Sequence, residues 1–207
     1  MKQRMLSIIL CFTMVMVPFC SCYANSKMSE WSEELICDGT KYIIEHCHNE
    51  EWYIIDVTDT NLNEVSQVKR NLITNDIYLN GDLIGYSIPC VGGKQTDVLR
   101  GVNDIWITLS SGSTEVSFAQ AATYVIVATI LASILNPMVG IAGVISAMGT
   151  ATLAALAGLT VGCTVSMTLQ YANASLTQQI YRNIWYVSHD DTTEGPFLYS
   201  WIVQAEV

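Results

Sequence analysis

The sequence predicts an α+β protein in which an antiparallel β meander and a C-terminal β hairpin flank a central apolar, Gly/Ala-rich helical hairpin. Three observations carry this. Residues 25–115 alternate β-branched and aromatic clusters with turn formers. Residues 116–181 contain no Asp, Glu, Lys or Arg. Charge returns after residue 182, around two aromatic-rich runs. With 207 residues, 51% hydrophobic and 14% charged, the chain can build a substantial core and is too apolar to be disordered. Its formal net charge of −10 argues against nucleic-acid binding and against a cationic peptide that coats anionic lipid.

Residues 1–24 read as a secretory signal peptide. Lys2 and Arg4 supply the positive start, Met5 to Phe19 the apolar run, and Cys22-Tyr23-Ala24 the cleavage site. A retained membrane anchor is the alternative. Processing would leave seven basic against nineteen acidic residues, a formal charge of −12, in a secreted chain. It would also leave four cysteines, Cys37, Cys47, Cys90 and Cys163. An even number in an exported protein permits two bridges. Cys163 lies in an apolar stretch, where a lone cysteine behaves as a small hydrophobe. One bridge among Cys37, Cys47 and Cys90 is therefore as plausible as two, and Cys37–Cys47 is favoured because both lie in short β-like segments close in sequence.

Within residues 25–115, Tyr42-Ile43-Ile44 and Trp52 to Val57 read as strands separated by the polar stretch Glu45 to Glu51. Ile77-Tyr78-Leu79 and Leu83 to Tyr86 flank Asn80-Gly81, a strong hairpin signal because both residues tolerate positive φ. Ile105 to Leu109 reads as a further strand, closed by Ser110-Ser111-Gly112-Ser113. A helix near Leu62–Lys69 competes with the meander.

The uncharged region 116–181 divides at Asn136-Pro137, a natural hairpin apex because proline cannot continue a helix interior. The first arm, Ser117 to Leu135, would be roughly 28 Å long as a helix, close to the thickness of a bilayer's hydrocarbon core. The second, Val139 to Leu169, could also span with a kink or tilt. Gly140, Gly143, Gly158 and Gly162 interleave with alanines. Gly143, Ala147, Ala151 and Ala155 recur every four residues, as do Ala154, Gly158, Gly162 and Ser166, a spacing that lets two helix backbones approach closely. In water each such glycine costs a helix about 1 kcal/mol against alanine. Three readings follow: a hairpin stored soluble and later inserted into a membrane, a hairpin buried permanently in an ordinary fold, or a constitutive membrane hairpin.

In residues 182–207, Ile184 to Val187 and Phe197 to Val203 read as two strands around a turn-rich loop, His189 to Pro196. Candidate chemistry is sparse. His46 and His48 share one face of an extended strand and are weak metal candidates, with His189 and Asp190 the only obvious further donors. Solvated histidines near a turn are the plainer reading. Val91 to Thr96 lacks the first glycine of a phosphate loop, and Asp190, Asp191 and Glu194 miss the EF-hand spacing. No nucleophile motif is present, and neither enzymatic activity nor a cofactor is expected.

The signal peptide, the β-rich segment containing Asp76-Ile77-Tyr78-Leu79-Asn80-Gly81-Asp82-Leu83, the Gly/Ala-rich stretch and the aromatic C-terminal tail together resemble the large secreted non-lantibiotic bacteriocins of the geobacillin family. The resemblance implies a secreted antibacterial protein acting on the membrane of competing cells, and it carries over no catalytic or ligand residue. On this reading Ser117–Leu169 leaves the soluble fold at a target-cell membrane or receptor, inserts and permeabilises the bilayer. Gly143, Gly158 and Gly162 would then be contact points for homo-oligomeric helix packing. The alternatives are a non-enzymatic exported binding or structural protein with a permanently buried hairpin, and a membrane-tethered surface protein.

Overall fold

A computed structural model describes residues 29–88, 106–135, 137–173 and 178–204. Ten strands form one antiparallel sheet in which every strand pairs with its neighbours in sequence. They are β1 (Ser29–Cys37), β2 (Thr40–His48), β3 (Trp52–Asp59), β4 (Glu64–Asn71), β5 (Ile77–Leu79), β6 (Asp82–Ile88), β7 (Ile107–Ser117), β8 (Gly162–Asn173), β9 (Gln178–His189) and β10 (Thr192–Gln204). Between β7 and β8 stand three short helices, α1 (Tyr124–Ile134), α2 (Gly140–Met148) and α3 (Thr150–Ala157).

This corrects the expected architecture. The meander does not flank a helical hairpin; it runs unbroken across the helical insertion, which β7 and β8 close by pairing directly. The first arm is shorter than expected because Ser117 ends β7 and the helix begins only at Tyr124. The second arm is not one helix. Gly149, at φ +77, breaks it, and α2 and α3 meet at 98°. From Gly162 onward the chain is strand, because Cys163, Val165, Met167 and Leu169 alternate with Thr164, Ser166, Thr168 and Gln170, a period of two. The competing helix at Leu62–Lys69 is also replaced by strand, β4. Nor do Ser110 to Ser113 close a strand. They continue β7, where Ser113 Oγ lies 3.0 Å from Ser166 Oγ on β8.

The turns follow local chemistry. Asp38-Gly39 joins β1 to β2 and Asn80-Gly81 joins β5 to β6, all four residues having positive φ. Asp190, also at positive φ, begins the two-residue turn between β9 and β10.

The core lies between the sheet and α1. Ten of the eleven residues of α1 are buried, and Val125, Val127, Ala128, Ile130 and Leu131 are fully so. They pack with Ile44, Ile55, Val57, Val68, Ile77 and Leu79 of β2 to β5 and with Ile141, Val144, Leu153 and Leu156 of α2 and α3. A helix apolar all round belongs inside a protein. Its own polar groups are satisfied locally. Thr129 Oγ1 donates to Val125 O (2.8 Å) and Ser133 Oγ to Ile130 O (2.7 Å), while Thr123 Oγ1 accepts from Ile126 N (3.3 Å) as the N-cap. The C-terminal carbonyls find a partner on the sheet. Arg70 Nη1 donates to Ser133 O (2.7 Å) and Ile134 O (3.0 Å), and Nη2 donates to Asn75 Oδ1 (2.8 Å). Burial lowers the Arg70 pKa, and the charge sits where the helix dipole favours a cation.

Two predictions test this core. Arg70→Met should lower the unfolding free energy by about 2–4 kcal/mol, because it strands two buried carbonyls. Arg70→Lys should recover only part of that, since a single ammonium lacks the guanidinium fork. Urea unfolding of the three proteins checks both. At Gly143 an added Cβ would stand 2.9 Å from Tyr199 Cε2, whereas at Gly158 it meets nothing closer than 3.5 Å and φ is −83. Gly143→Ala should therefore lose about 1 kcal/mol despite better helix propensity, and Gly158→Ala should change stability by less than about 0.5 kcal/mol or raise it.

Candidate functional site

The residues expected to form a membrane-inserting hairpin do not share a helix face. Asn136 lies outside the described residues. Pro137 is exposed just before α2, and Gly140 opens α2 at φ +61. Gly143 is buried, but its close neighbour is the ring of Tyr199 on β10 rather than a second helix. Ala147 is half-buried on α2, Ala151 and Ala155 are exposed on α3, Gly158 is the exposed C-cap of α3, and Gly162 opens β8. Both four-residue repeats run through a break in the backbone, so the close-packing surface they implied is not formed.

No bridge joins Cys37 and Cys47. Cys37 pairs across the β1–β2 hairpin with Thr40, seven residues before Cys47, which places the two thiols about 23 Å apart along the strand. Cys37, Cys47 and Cys163 are all free thiols, and Cys90 lies outside the described residues. Burial pushes the Cys163 thiol up to about 11, with the charges of Asp190 and Glu194 adding to it. It is a small buried hydrophobe next to the β9–β10 turn.

His46 and His48 do share a face of β2, yet they make no metal site. His46 is 2% exposed and both ring nitrogens are engaged: Nδ1 lies 2.9 Å from Tyr53 Oη and Nε2 3.0 Å from Glu33 Oε1. Its ring lies flat against Trp31, centroids 4.5 Å apart and planes within 4°. His48 is exposed and tilts against Tyr53 instead. His189 lies on β9, beside Glu194 at 3.7 Å. Among the described residues no group of three or more His, Cys, Asp or Glu side chains converges on one point. The Trp31–His46–Tyr53–Glu33 cluster instead pins edge strand β1 to β2 and β3. Burial, and to a lesser extent the charge of Glu33, raises the Tyr53 pKa well above the ordinary phenol value.

The outer face of the sheet carries a second cluster that sequence reasoning passed over. Trp52 and Ile54 of β3, Lys69 of β4, Tyr78 of β5 and Gly81 of the following turn line an open hollow of about 410 Å³. The register places Ile54, Lys69 and Tyr78 side by side on three adjacent strands. The rings of Trp52 and Tyr78 stand 5.9 Å apart at 59°, forming a corner. Strand alternation explains the arrangement: Tyr53, Ile55, Val68, Ile77 and Leu79 point into the core, so their neighbours must point out. Lys69 differs from the other cations of the described residues. Lys41 pairs with Glu34 at 2.8 Å, Arg70 is committed to α1, and Arg182 stacks on Trp106 and donates to Gln170. Lys69 has no hydrogen-bond or ion-pair partner among the described residues. A signal was present in the sequence, since Trp52-x-Ile54 and Lys69 sit at alternating strand positions. Their meeting depended on strand order, which composition does not give.

No protein-family model, curated protein or solved structure matches this chain. The site is therefore read from its own geometry.

The raised Tyr53 pKa has a signed consequence. The phenol stays protonated in the folded state while the unfolded chain releases that proton near pH 10. Stability is therefore complete below about pH 10 and falls as pH rises further. Tyr53→Phe should flatten that alkaline slope by up to about 1.4 kcal/mol per pH unit, read from urea unfolding at a series of pH values. An unchanged slope would remove Tyr53 from the account.

Proposed function

We propose that the chain is an exported, non-enzymatic binding protein whose helical unit stays buried. The observation that carries this reading is the enclosure of α1, buried over ten of eleven residues and tied to the sheet at its two ends by the Tyr124–Asp38 hydrogen bond and by Arg70. Freeing residues 117–169 into water would expose its aliphatic side chains, at a cost of about 1.5–3 kcal/mol for each. It would also strip the apolar inner face of β2 to β5 and leave Arg70 without its carbonyls. Export rests on the N-terminal targeting pattern, and binding on the exposed hollow at Trp52, Lys69 and Tyr78.

The membrane-permeabilising reading, and with it the likeness to secreted bacteriocins, keeps one observation in its favour. The outward surface of α2 and α3 exposes Ser146, Thr150, Ala151, Ala154 and Ala155 and carries no charge. Against it, no single helix among the described residues is long and apolar enough to cross a bilayer, and α2 and α3 would have to straighten from 98° to do so.

Dye-loaded anionic and zwitterionic vesicles separate the two. The processed chain should release no dye at neutral or acidic pH, and amides of α1 should exchange only through global unfolding. Dye release together with early exchange in α1 would overturn the binding reading in favour of insertion.

A further inference from the structure

The hollow on the outer face of the sheet has a composition that selects its ligand. We propose that Trp52, Lys69 and Tyr78 form a binding site for a cyclic sugar acid, a pyranose ring bearing one carboxylate. The assignment deepens the binding-protein reading and rests on it.

Each part of the ligand follows from a part of the hollow. Its volume of about 410 Å³ lies within the range of small-molecule sites. Trp52 and Tyr78, in contact at 5.9 Å and 59° to each other, form an apolar corner against which the C–H face of a pyranose can rest. Ile54 adds an aliphatic side chain to the lining. Lys69 presents a single unpartnered ammonium to this apolar corner, in a chain whose net charge is −10. An ammonium left beside two aromatic rings in so acidic a protein favours an anion, and one point charge suits one carboxylate. A phosphate would call for several converging donors, an arginine fork or a helix N-terminus, and none of these lines the hollow. The hollow is open to solvent, so a bound ligand keeps one side in water. A ring carrying hydroxyl groups tolerates that exposure, whereas an aryl carboxylate would leave an apolar face wet.

The neighbouring acidic groups do not neutralise Lys69. Asp56, on the same face, is held by Gln67 Nε2 at 2.7 Å, and no carboxylate lies within 4 Å of the Lys69 ammonium among the described residues. Among the described residues, the cation is left available by its surroundings.

The test is a titration of the processed, isotope-labelled chain with methyl galacturonoside, methyl galactoside, benzoate and inorganic phosphate, followed by nuclear magnetic resonance. The galacturonoside should shift the Trp52 indole and the amides flanking Lys69 and Tyr78, binding about tenfold more tightly than the neutral galactoside. Lys69→Gln should abolish the preference for the galacturonoside and bring the two sugars level, and Trp52→Leu should weaken both. Because Lys69 touches nothing in the core, Lys69→Gln is expected to keep the parent melting temperature. Benzoate binding as tightly as the galacturonoside would replace the sugar with a generic aryl acid, and phosphate doing so would remove the ring from the recognition. A folded chain that shifts with none of the four overturns the site, with α1 exchange and vesicle release still free to uphold or reject the broader reading.

Discussion

An apolar helix with no charged residue can exist in water only if something surrounds it, and the guanidinium of Arg70 fixes how the sheet does so. Its Nη1 reaches Ser133 O and Ile134 O, the last turn of α1, from the middle of the sheet. Those carbonyls have no partner within the helix, and burying them unpaired would cost about 1–3 kcal/mol each. Placing the cap on β4 ties the helix axis to the strand register. Val68, two residues earlier on β4, then points into the same core as Val125 and Ile130. At the opposite end Tyr124 Oη donates to Asp38 Oδ2 at 2.9 Å, in the turn between β1 and β2. The helix is thus held at both ends by polar contacts to the N-terminal half of the sheet, and along its length by apolar ones.

Much of the N-terminal half was legible because its local chemistry is explicit. Asn80-Gly81 names its turn, and the alternation in Trp52 to Val57 names a half-buried strand. Residues 116–181 were opaque for a physical reason: without charge, the contrast that reveals a period is weak. Thr164, Ser166 and Thr168 mark alternate positions of β8 less sharply than Lys or Glu would, and beside so many Ala, Val and Leu residues the stretch reads as continuous apolar helix. Gly143 shows the same problem at one residue. Its spacing to Ala147 and Ala151 fitted helix packing, but its lack of a Cβ is used by Tyr199, from a strand fifty-six residues later. The hollow was invisible on similar grounds, since it is assembled by cross-strand register.

The two sheet edges are protected by different means. β1 carries Glu30, Glu33 and Glu34, and their like charges discourage pairing with another acidic chain. β10 has no charge after Glu194. Pro196 withholds an amide donor, and the register shifts between Glu194 and Phe197, so the edge is bent rather than charged. Its inward rings, Phe197, Tyr199 and Trp201, are only half-buried, and Tyr199 rests on α2.

Polar accounting separates the two halves of the molecule further. Around α1 the buried hydroxyls of Thr129 and Ser133 and the guanidinium of Arg70 are satisfied. On β9, Asn183 is 1% exposed, and neither its Oδ1 nor its Nδ2 has a hydrogen-bond partner among the described residues. A buried amide left unpaired costs free energy that the surrounding contacts must offset. Its row of the sheet runs through Leu169 and Tyr199, the strand pair closest to the β10 edge. Local opening is cheapest where apolar burial is least and polar groups are unpaired. β10, which has no buried residue, meets the first condition, and Asn183 on β9 meets the second, although Trp185 and Val187 anchor β9 in the core. Trp52 and Lys69 by contrast stand on β3 and β4, the strands against which α1 packs.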